Sequence, residues 1–339
     1  MSKAGALAAE RGRFFLRMLP GLLVTALALA ALYYLVDLEA LQRALSLADY
    51  RWLPLVVTLF FGTLAARAKA WRTILEERAS FKECFIVLNQ AYLLNNVLPF
   101  RLGELGRALL LGQRVGLSFW RVLSTVIVER VFDLAIAAGL LLSTFPLVVG
   151  AQWAQPAALV AAGLVGVAFA ALFMMASQPR TARRFVERLA KPWSRAQAWL
   201  ADKLSSFLEG LAALKEARRF LRVAFWMLLA WFFNVAWYFA LMRSFFPEAR
   251  WLWAFFSIAV ASLGVALPSS PAYIGVLEGA LVGALSLFGI DPAISLAYAL
   301  VAHLIYFVIT GLLGIYGFWQ QGQSLGKVYR QLLARPSEK

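Results

Sequence analysis

Long stretches without a charged residue constrain this chain more than any other feature of its sequence. Residues 134–179 contain no Asp, Glu, Lys or Arg over 46 positions, and residues 18–36 form another such stretch. A helix crosses a bilayer with about 20 apolar residues, so the longer stretch can supply two spans joined by a short turn. Hydrophobic residues make up 62% of the 339 positions, well above the proportion in a soluble domain. The sequence therefore predicts an all-α polytopic integral membrane protein.

The charges lie mostly between the apolar stretches. The formal net charge is +15, and residues 177–222 alone carry eleven Lys or Arg against four Asp or Glu. Basic segments next to spans stay on the cytoplasmic side. We therefore place this amphipathic basic segment, the end of the second span with Arg67 and Lys69, and both termini in the cytoplasm. The predicted location is the cell (inner) membrane, and nucleic acid is not an expected partner.

Six segments are predicted to cross the membrane, and two others to enter it without crossing. The spans are residues 18–36, 52–70, 122–149, 156–176, 223–243 and 293–319. The remaining apolar stretches, residues 84–121 and 251–288, are interrupted by proline, glycine and polar residues, which indicates two re-entrant helical hairpins. One Cys and one His give no basis for predicting a disulfide framework, a metal site or a cofactor.

The first hairpin contains the sequence NNVLPFRLGELGR at residues 95–107. A charge at the centre of a bilayer costs about 2.5 to 3.5 kcal/mol, so Arg101, Glu104 and Arg107 are expected to face an interface or a polar cavity. We expect the helix to break near Pro99 and Gly103. Non-helical backbone at membrane depth has to be buried in protein or line a water-filled cavity, so the break predicts such a cavity.

The second hairpin contains LPSSPAYIGVLEG at residues 267–279, where Pro268, Pro271 and Gly275 interrupt the helix. Its order of leucine-proline, glycine and glutamate repeats the order in the first hairpin. The two stretches are therefore expected to occupy corresponding positions in two related halves of the protein.

The predicted topology makes this repeat an inverted one. Residues 52–149 form a span, a hairpin entered from the cytoplasm and a span, and residues 223–319 form the same sequence of elements in the opposite orientation. Both units belong to a single transmembrane domain of residues 1–339. Interrupted helices at matching positions of an inverted repeat indicate the midplane binding site of a transporter.

Ionisable side chains inside the predicted spans are the first candidate binding residues. Glu129, Arg130 and Asp133 lie about 10 to 17 Å along their helix, well inside the hydrocarbon core. His303 lies near the middle of the last span. Charges within a membrane are usually functional. Two alternatives stay open: an ion cluster that only ties helices together, and a histidine that only packs.

The other candidates flank the predicted breaks. Arg101 and Arg107 offer planar donors suited to phosphate, and the alternative is that both extend to the cytoplasmic interface. Glu104 and Glu278 fall in the first turn of a helix, where the helix dipole favours a carboxylate, so capping is the alternative for each.

Three segments together resemble a known family. NNVLPFRLGELGR, VERVFD at residues 128–133 and PSSPAYIGVLEG at residues 268–279 resemble the flippase-like transmembrane domain of the lysylphosphatidylglycerol synthase/flippase family. The resemblance covers nearly the whole chain and implies a domain that moves lipids between leaflets. By position, it implies a role for Asn96, Pro99, Arg101, Gly103, Glu104, Arg107, Arg130, Asp133, Pro271, Gly275 and Glu278.

The chain departs from the family pattern at two positions and in its length. Ala272 stands where glycine is expected after the proline, and His303 where arginine is often found. Bifunctional members of the family carry an aminoacyl-transferase domain after the membrane region. We expect none within these 339 residues, so the resemblance does not imply lysyl-lipid synthesis.

The expected function is that of a flippase-like transporter, which moves or binds a phospholipid or lipid-linked headgroup through a polar intramembrane cavity. Its expected partners are an anionic phospholipid or lipid-linked glycan and the surrounding membrane lipids, and a homo-oligomer stays open. No enzymatic activity is expected. The alternatives are a scaffold subunit of a cell-envelope lipid or glycan pathway and a membrane enzyme similar to polyprenyl-diphosphate phosphatases.

Overall fold

A computed structural model describes residues 37–98, 101–149, 205–211, 215–266, 271–323 and 325–333, with scattered positions between residues 156 and 181. The regular elements within these residues are helices, as predicted. The α-helices used below are α1 (Leu38–Leu47), α2 (Leu53–Ile74), α3 (Phe81–Val97), α4 (Leu102–Val115), α5 (Phe119–Val149), α6 (Ala217–Phe245), α7 (Trp251–Ala266), α8 (Val276–Ser286), α9 (Pro292–Gln320) and α10 (Leu325–Leu333). Short 3-10 turns at Tyr50–Trp52 and Pro271–Tyr273 precede α2 and α8.

Four helical segments are long and apolar enough to cross a membrane. They are Tyr50–Ile74, Phe119–Val148, Ala217–Phe245 and Pro292–Gln320. These segments coincide with four of the six predicted spans. The predicted spans at residues 18–36 and 156–176 lie outside the described residues, apart from scattered helical positions in the second.

Local hydrogen bonds fix where two helices begin. At the start of α3, the Glu83 backbone N–H donates to Ser80 Oγ (3.2 Å) and the Ser80 backbone N–H donates to the Glu83 carboxylate (2.8 Å). At the start of α9, the Asp291 carboxylate accepts from the backbone N–H groups of Ala293 and Ile294. These two helices also pack against each other and so join the two halves of the chain.

The first half is interrupted between α3 and α4, at the predicted place. The chain enters α4 through Arg101, whose backbone is left-handed at φ 55°. Gly103 lies in the first turn of α4 and not in the break itself. A Cβ there would lie 2.0 Å from the Ala91 carbonyl oxygen of α3, so glycine is needed for the close approach of the two helices. Pro99 lies outside the described residues.

The second half is interrupted between α7 and α8. Pro271 begins the 3-10 turn, in which Ala272 (φ 57°) and Tyr273 (φ 62°) are left-handed, and Gly275 (φ 82°) stands directly before α8. The alanine that departs from the family pattern thus occupies a backbone conformation that favours glycine. Pro268 lies outside the described residues.

The two breaks adjoin each other in the folded chain. α3 packs on the Pro271–Tyr273 turn, and the Arg101 guanidinium carbon lies 5.8 Å from the centre of the Tyr273 ring. Within each half, the two short helices that flank the break also pack on one another. Both interrupted regions therefore border the same interior space.

Candidate functional site: a charged cavity within the helical bundle

A cavity of about 350 Å³ lies where the long helices meet the two breaks. Every helix from α2 to α9 contributes side chains to its wall. The cavity extends to the surface of the bundle near Leu134, whose side chain is 44% exposed. Its charged lining residues are Arg67, Arg101, Glu104, Arg130 and Asp133.

Arg67 joins α2 to two carboxylates of α5. Its guanidinium donates to both oxygens of Asp133, at 2.9 and 3.1 Å, and to Glu129 Oε1 at 3.2 Å. The indole N–H of Trp231 also donates to Asp133, at 3.0 Å. A two-pronged arginine–carboxylate pair of this kind fixes both side chains in orientation. The intramembrane charges are therefore held in place before any ligand arrives.

Arg107 lies behind the cavity and supports it from there. Its Nη2 lies 2.5 Å from Glu129 Oε2, and its guanidinium carbon lies 3.6 Å from the Trp71 ring centre. The Arg107 side chain is 2% exposed and does not line the cavity. Two buried charges are tolerated when each is paired, so Arg107 and Glu129 neutralise each other within the protein.

Three further charges meet at the cavity surface between α4 and α5. Arg130 Nη1 lies 3.1 Å from Asp133 Oδ2, and Arg130 Nε lies 3.4 Å from Glu104 Oε1. The same Glu104 oxygen lies 3.2 Å from Arg101 Nε. The terminal Nη groups of Arg101 have no hydrogen-bond partner among the described residues. Its Nη groups therefore differ from those of Arg130, which lie 3.1 Å from Asp133 and 3.8 Å from Glu129.

These contacts define one connected set of charges, the ion cluster, in which arginines outnumber carboxylates by four to three. Its members are Arg67, Arg101, Arg107, Arg130, Glu104, Glu129 and Asp133.

The remaining polar lining of the cavity is largely uncharged. Tyr92, Tyr238, Tyr273 and Tyr306 line the wall, and their hydroxyl groups make no hydrogen bond to another described residue. Asn234 contributes a side-chain amide. Aromatic rings that carry hydroxyls can contact apolar surface and polar groups at once. This part of the cavity is suited to neutral polar groups of a ligand.

Glu278 and His303 form a separate pair at the cavity wall. His303 Nδ1 lies 2.5 Å from Glu278 Oε1, and the other Glu278 oxygen accepts the backbone N–H of Gly275 at 2.8 Å. His303 is 7% exposed and lines the cavity, whereas Glu278 is 4% exposed and lies behind it.

The structure therefore divides the residues predicted from the sequence into two groups. Those that line the cavity are Arg101, Glu104, Arg130, Asp133 and His303. Those that lie behind it and contact other side chains are Asn96, Arg107, Glu129 and Glu278. Asn96 donates to the Thr310 hydroxyl of α9 at 3.2 Å and so joins the two halves of the chain.

Arg67 is the charged cavity residue that sequence reasoning missed. The sequence analysis grouped it with Lys69 as a basic residue at the cytoplasmic end of a span and did not name it as a binding residue, whereas its side chain lines the cavity. The helix continues to Ile74, and Arg67 shares a face with Thr63 and Phe60, both of which line the cavity. Arg67 lies four residues after Thr63 and seven after Phe60, which puts the three on one helix face, but the sequence alone does not show that this face lines a cavity.

Comparison with known proteins identifies the family of this chain. Residues 18–314 match the family described as the lysylphosphatidylglycerol synthase TM region. The chain belongs to this family. A relative in Haloferax volcanii, named glycosyltransferase AglD, is 27% identical over 326 residues, which cover 86% of this chain and 52% of the relative. The chain thus spans about half the length of the curated relative that it matches.

The match to the lysylphosphatidylglycerol synthase TM region confirms the resemblance seen in the sequence. It encloses both breaks, the ion cluster and the Glu278–His303 pair. It also agrees with a multi-pass membrane protein, as the four long apolar helices indicate. Within the described residues, no group of three His, Cys, Asp or Glu side chains is arranged to hold a metal ion.

Proposed function

We propose that this membrane domain binds the anionic headgroup of a lipid in the cavity and moves it between leaflets. One observation carries the proposal: Arg101 faces the cavity, and its Nη groups have no partner among the described residues. The planar guanidinium matches the oxygens of phosphate and stays charged at all physiological pH values. Phospholipids and polyprenyl-phosphate carriers all present such a phosphate.

A lipid fits this cavity better than a small soluble anion does. The ion cluster lies among helices long enough to cross a bilayer, where ionisable residues mark pathways for substrates or ions. The cavity reaches the bundle surface near Leu134, so acyl chains can remain in the membrane while the headgroup enters. The Tyr92, Tyr238, Tyr273 and Tyr306 hydroxyls can then bind neutral polar groups beyond the phosphate.

The same proposal assigns the two breaks to re-entrant hairpins of an inverted repeat. α3 and α4 form one hairpin, and α7 and α8 the other, since these helices have 17, 14, 16 and 11 residues and each is shorter than a full span. The cation–π contact of Arg101 with Tyr273 joins the two breaks. A phosphate that binds Arg101 therefore lies at the junction of the two hairpins.

A second candidate is a membrane subunit of a pathway that makes or transfers lipid-linked glycans. The name of the Haloferax volcanii relative, a glycosyltransferase, favours it, and so does the hydroxyl-rich, uncharged part of the cavity. A subunit that only holds partners together needs no ion cluster. Neutralising a cluster arginine therefore distinguishes this candidate from lipid transport.

The experiment is lipid movement in proteoliposomes. The probes are acyl-labelled phosphatidylglycerol, polyprenyl phosphate and zwitterionic phosphatidylcholine, each followed by chemical quenching of the outer leaflet. We expect the two anionic lipids to move faster than phosphatidylcholine, and Arg101→Gln to slow them at least tenfold.

The matched control is Arg114→Gln. Arg114 also pairs with a glutamate, Glu83, but does not line the cavity. The Arg114→Gln variant is therefore expected to move each lipid at the rate of the native chain. The proposal is overturned if neither anionic lipid binds or moves, or if Arg101→Gln moves them as fast as the native chain.

A further inference from the structure

The Glu278–His303 pair has a chemistry that headgroup binding by arginine does not use. His303 is the single histidine of the chain, and imidazole is the side chain that ordinarily changes its charge between pH 5 and 8. Both oxygens of Glu278 are occupied, one by His303 Nδ1 and one by the Gly275 backbone N–H. The imidazole is the member of this pair that can accept a proton and become positively charged.

Glu278 also completes the charge balance of the cavity. With it, four carboxylates balance the four arginines on the cavity wall and directly behind it, and the described residues hold no other Asp, Glu, Lys or Arg on that wall. The break residues 99–100 and 267–270 contain no ionisable side chain. The cavity is therefore electrically neutral when His303 is neutral and carries one positive charge when His303 is protonated.

The elements packed near His303 bring no charged residue to the cavity beyond those already counted. α8 brings Glu278, while α3, α6 and the Pro271–Tyr273 turn bring the phenols Tyr92, Tyr238 and Tyr273, and α9 itself adds Tyr306. The charges of α1, Glu39 and Arg43, do not line the cavity. Phenols are neutral below about pH 10, so among the described residues these elements add no further charge to the cavity.

We propose that His303 takes up one proton when the cavity binds one anionic headgroup, which couples lipid binding to proton binding. The inference rests on the lipid-binding function proposed above. An anion in the neutral cavity would leave an uncompensated charge inside the membrane, and a proton on His303 removes that cost. The proton comes from water and returns to water when the headgroup leaves. By reciprocity, a low pH strengthens lipid binding as much as bound lipid favours the proton.

The test is a count of protons taken up per lipid. Tag-free protein in detergent is titrated with dioctanoyl phosphatidylglycerol, a phosphodiester whose own charge is constant from pH 5.5 to 8.5. Calorimetry in two buffers of different ionisation enthalpy gives the proton count. We expect about one proton per lipid at pH 8.5 and nearly none at pH 5.5. The affinity should fall by up to tenfold per pH unit on the alkaline side.

Two variants separate the proton from the histidine ring itself. His303→Arg fixes the positive charge, so it is expected to bind the lipid at every pH with the affinity that the native chain shows at pH 5.5. His303→Gln cannot gain a charge and is expected to bind weakly at every pH. Neither should take up a proton.

The outcomes distinguish this inference from the function on which it rests. If the native chain binds no lipid at any pH, the lipid-binding function fails and the coupling fails with it. If the native chain binds with one affinity from pH 5.5 to 8.5 and takes up no proton, only the coupling is overturned. The count on the native chain decides this even where a variant does not fold.

Discussion

The two breaks share one backbone design but carry different chemistry. In each, a residue with left-handed backbone, Arg101 or Gly275, stands directly before a short helix whose third residue is a glutamate. Glu278 turns back and accepts the Gly275 backbone N–H, whereas Glu104 lies beside the guanidinium groups of Arg101 and Arg130. A glutamate thus occupies the same position after each break, and its neighbours decide whether it caps a helix or balances a cation.

The stability of the first half depends on its buried ion pairs. Glu129→Ala tests this dependence and has the largest expected effect. The substitution leaves Arg67 and Arg107 without their shared carboxylate in a fully buried position. Removing one partner of a buried pair costs about 3 to 5 kcal/mol, because the remaining charge is uncompensated. We expect a loss of this size in the free energy of unfolding in detergent, followed by intrinsic tryptophan fluorescence.

Glu209→Ala is the control for this loss. Glu209 also pairs with an arginine, Arg121, but its side chain is 60% exposed. Exposed pairs contribute about 0 to 1 kcal/mol, so little change is expected. Equal losses in the two variants would contradict the claim that burial makes the Glu129 pairs essential.

The helix approach at the first break is closer than at the second, and a pair of glycine substitutions measures the difference. Gly103→Ala places a Cβ 2.0 Å from the Ala91 carbonyl oxygen, which forces α3 and α4 apart and should cost about 1 to 3 kcal/mol. In Gly264→Ala, the new Cβ lies 3.5 Å from Ala280 Cβ, an ordinary contact between α7 and α8. That variant should gain up to about 1 kcal/mol from better helix propensity.

Thermal unfolding of both variants alongside the native chain gives the sign of each change. A stabilised Gly103→Ala variant would show that α3 and α4 are not in close contact. A strongly destabilised Gly264→Ala variant would show that the second pair of helices is packed as closely as the first.

Glu104→Gln makes the first break more positive by one charge and should favour the binding of an anion. Glu104 sits between Arg101 and Arg130, and its neutralisation removes the negative charge that lies beside the Nε groups of both arginines. We expect dioctanoyl phosphatidylglycerol to bind about tenfold more tightly, equivalent to about 1.4 kcal/mol. Direct titration at one fixed pH measures it, and weaker binding would show that Glu104 orients the arginines for the headgroup.

The positions of the breaks and most of the charged residues were predictable from the sequence. Proline, glycine and charges are expensive in a lipid-facing helix, so NNVLPFRLGELGR and the acidic positions Glu129 and Asp133 stand out from an apolar background. Such outliers mark a polar interior whatever the exact packing. That is why Arg101, Glu104 and Arg130 are candidate binding residues on sequence grounds alone, with an interface, helix capping and a structural ion cluster as the open alternatives.

The distribution of these residues around the cavity was not predictable, because it depends on helix rotation and on long-range packing. Arg67 lies in a run of basic residues that reads as a membrane boundary, yet it pairs with Asp133 66 positions later. Arg107 has the same composition around it as Arg101, but the Trp71 ring of α2 covers its guanidinium. No local sequence pattern predicts which of these two nearby arginines will be buried by a neighbouring helix.

The last prediction, which has the smallest expected effect, concerns two glutamates that cap helices in different surroundings. Glu278 caps α8 inside the bundle, whereas Glu83 caps α3 at its polar start, outside the four helices long enough to span. Burial alone would raise the pKa of the Glu83 carboxyl, but its hydrogen bonds with Ser80 and its contact with Arg114 lower the pKa below the ordinary value. A lowered pKa in the folded state stabilises the fold above the ordinary carboxyl range, and this stabilisation is lost as the pH falls through the lowered value.

Glu83→Gln should therefore reduce the free energy of unfolding by about 0.5 to 1 kcal/mol at pH 7, the usual contribution of a helix cap. The difference from the native chain should shrink as the pH drops below about 4.3, where the unfolded carboxyl also binds its proton. Unfolding titrations from pH 7 to pH 3 measure both parts. A deficit that stays constant across this range would mean that the side-chain amide, and not the lost charge, weakens the cap. The hydrogen-bond geometry of Glu83 alone would then stabilise the start of α3. Glu278 differs, because its carboxyl group also pairs with His303.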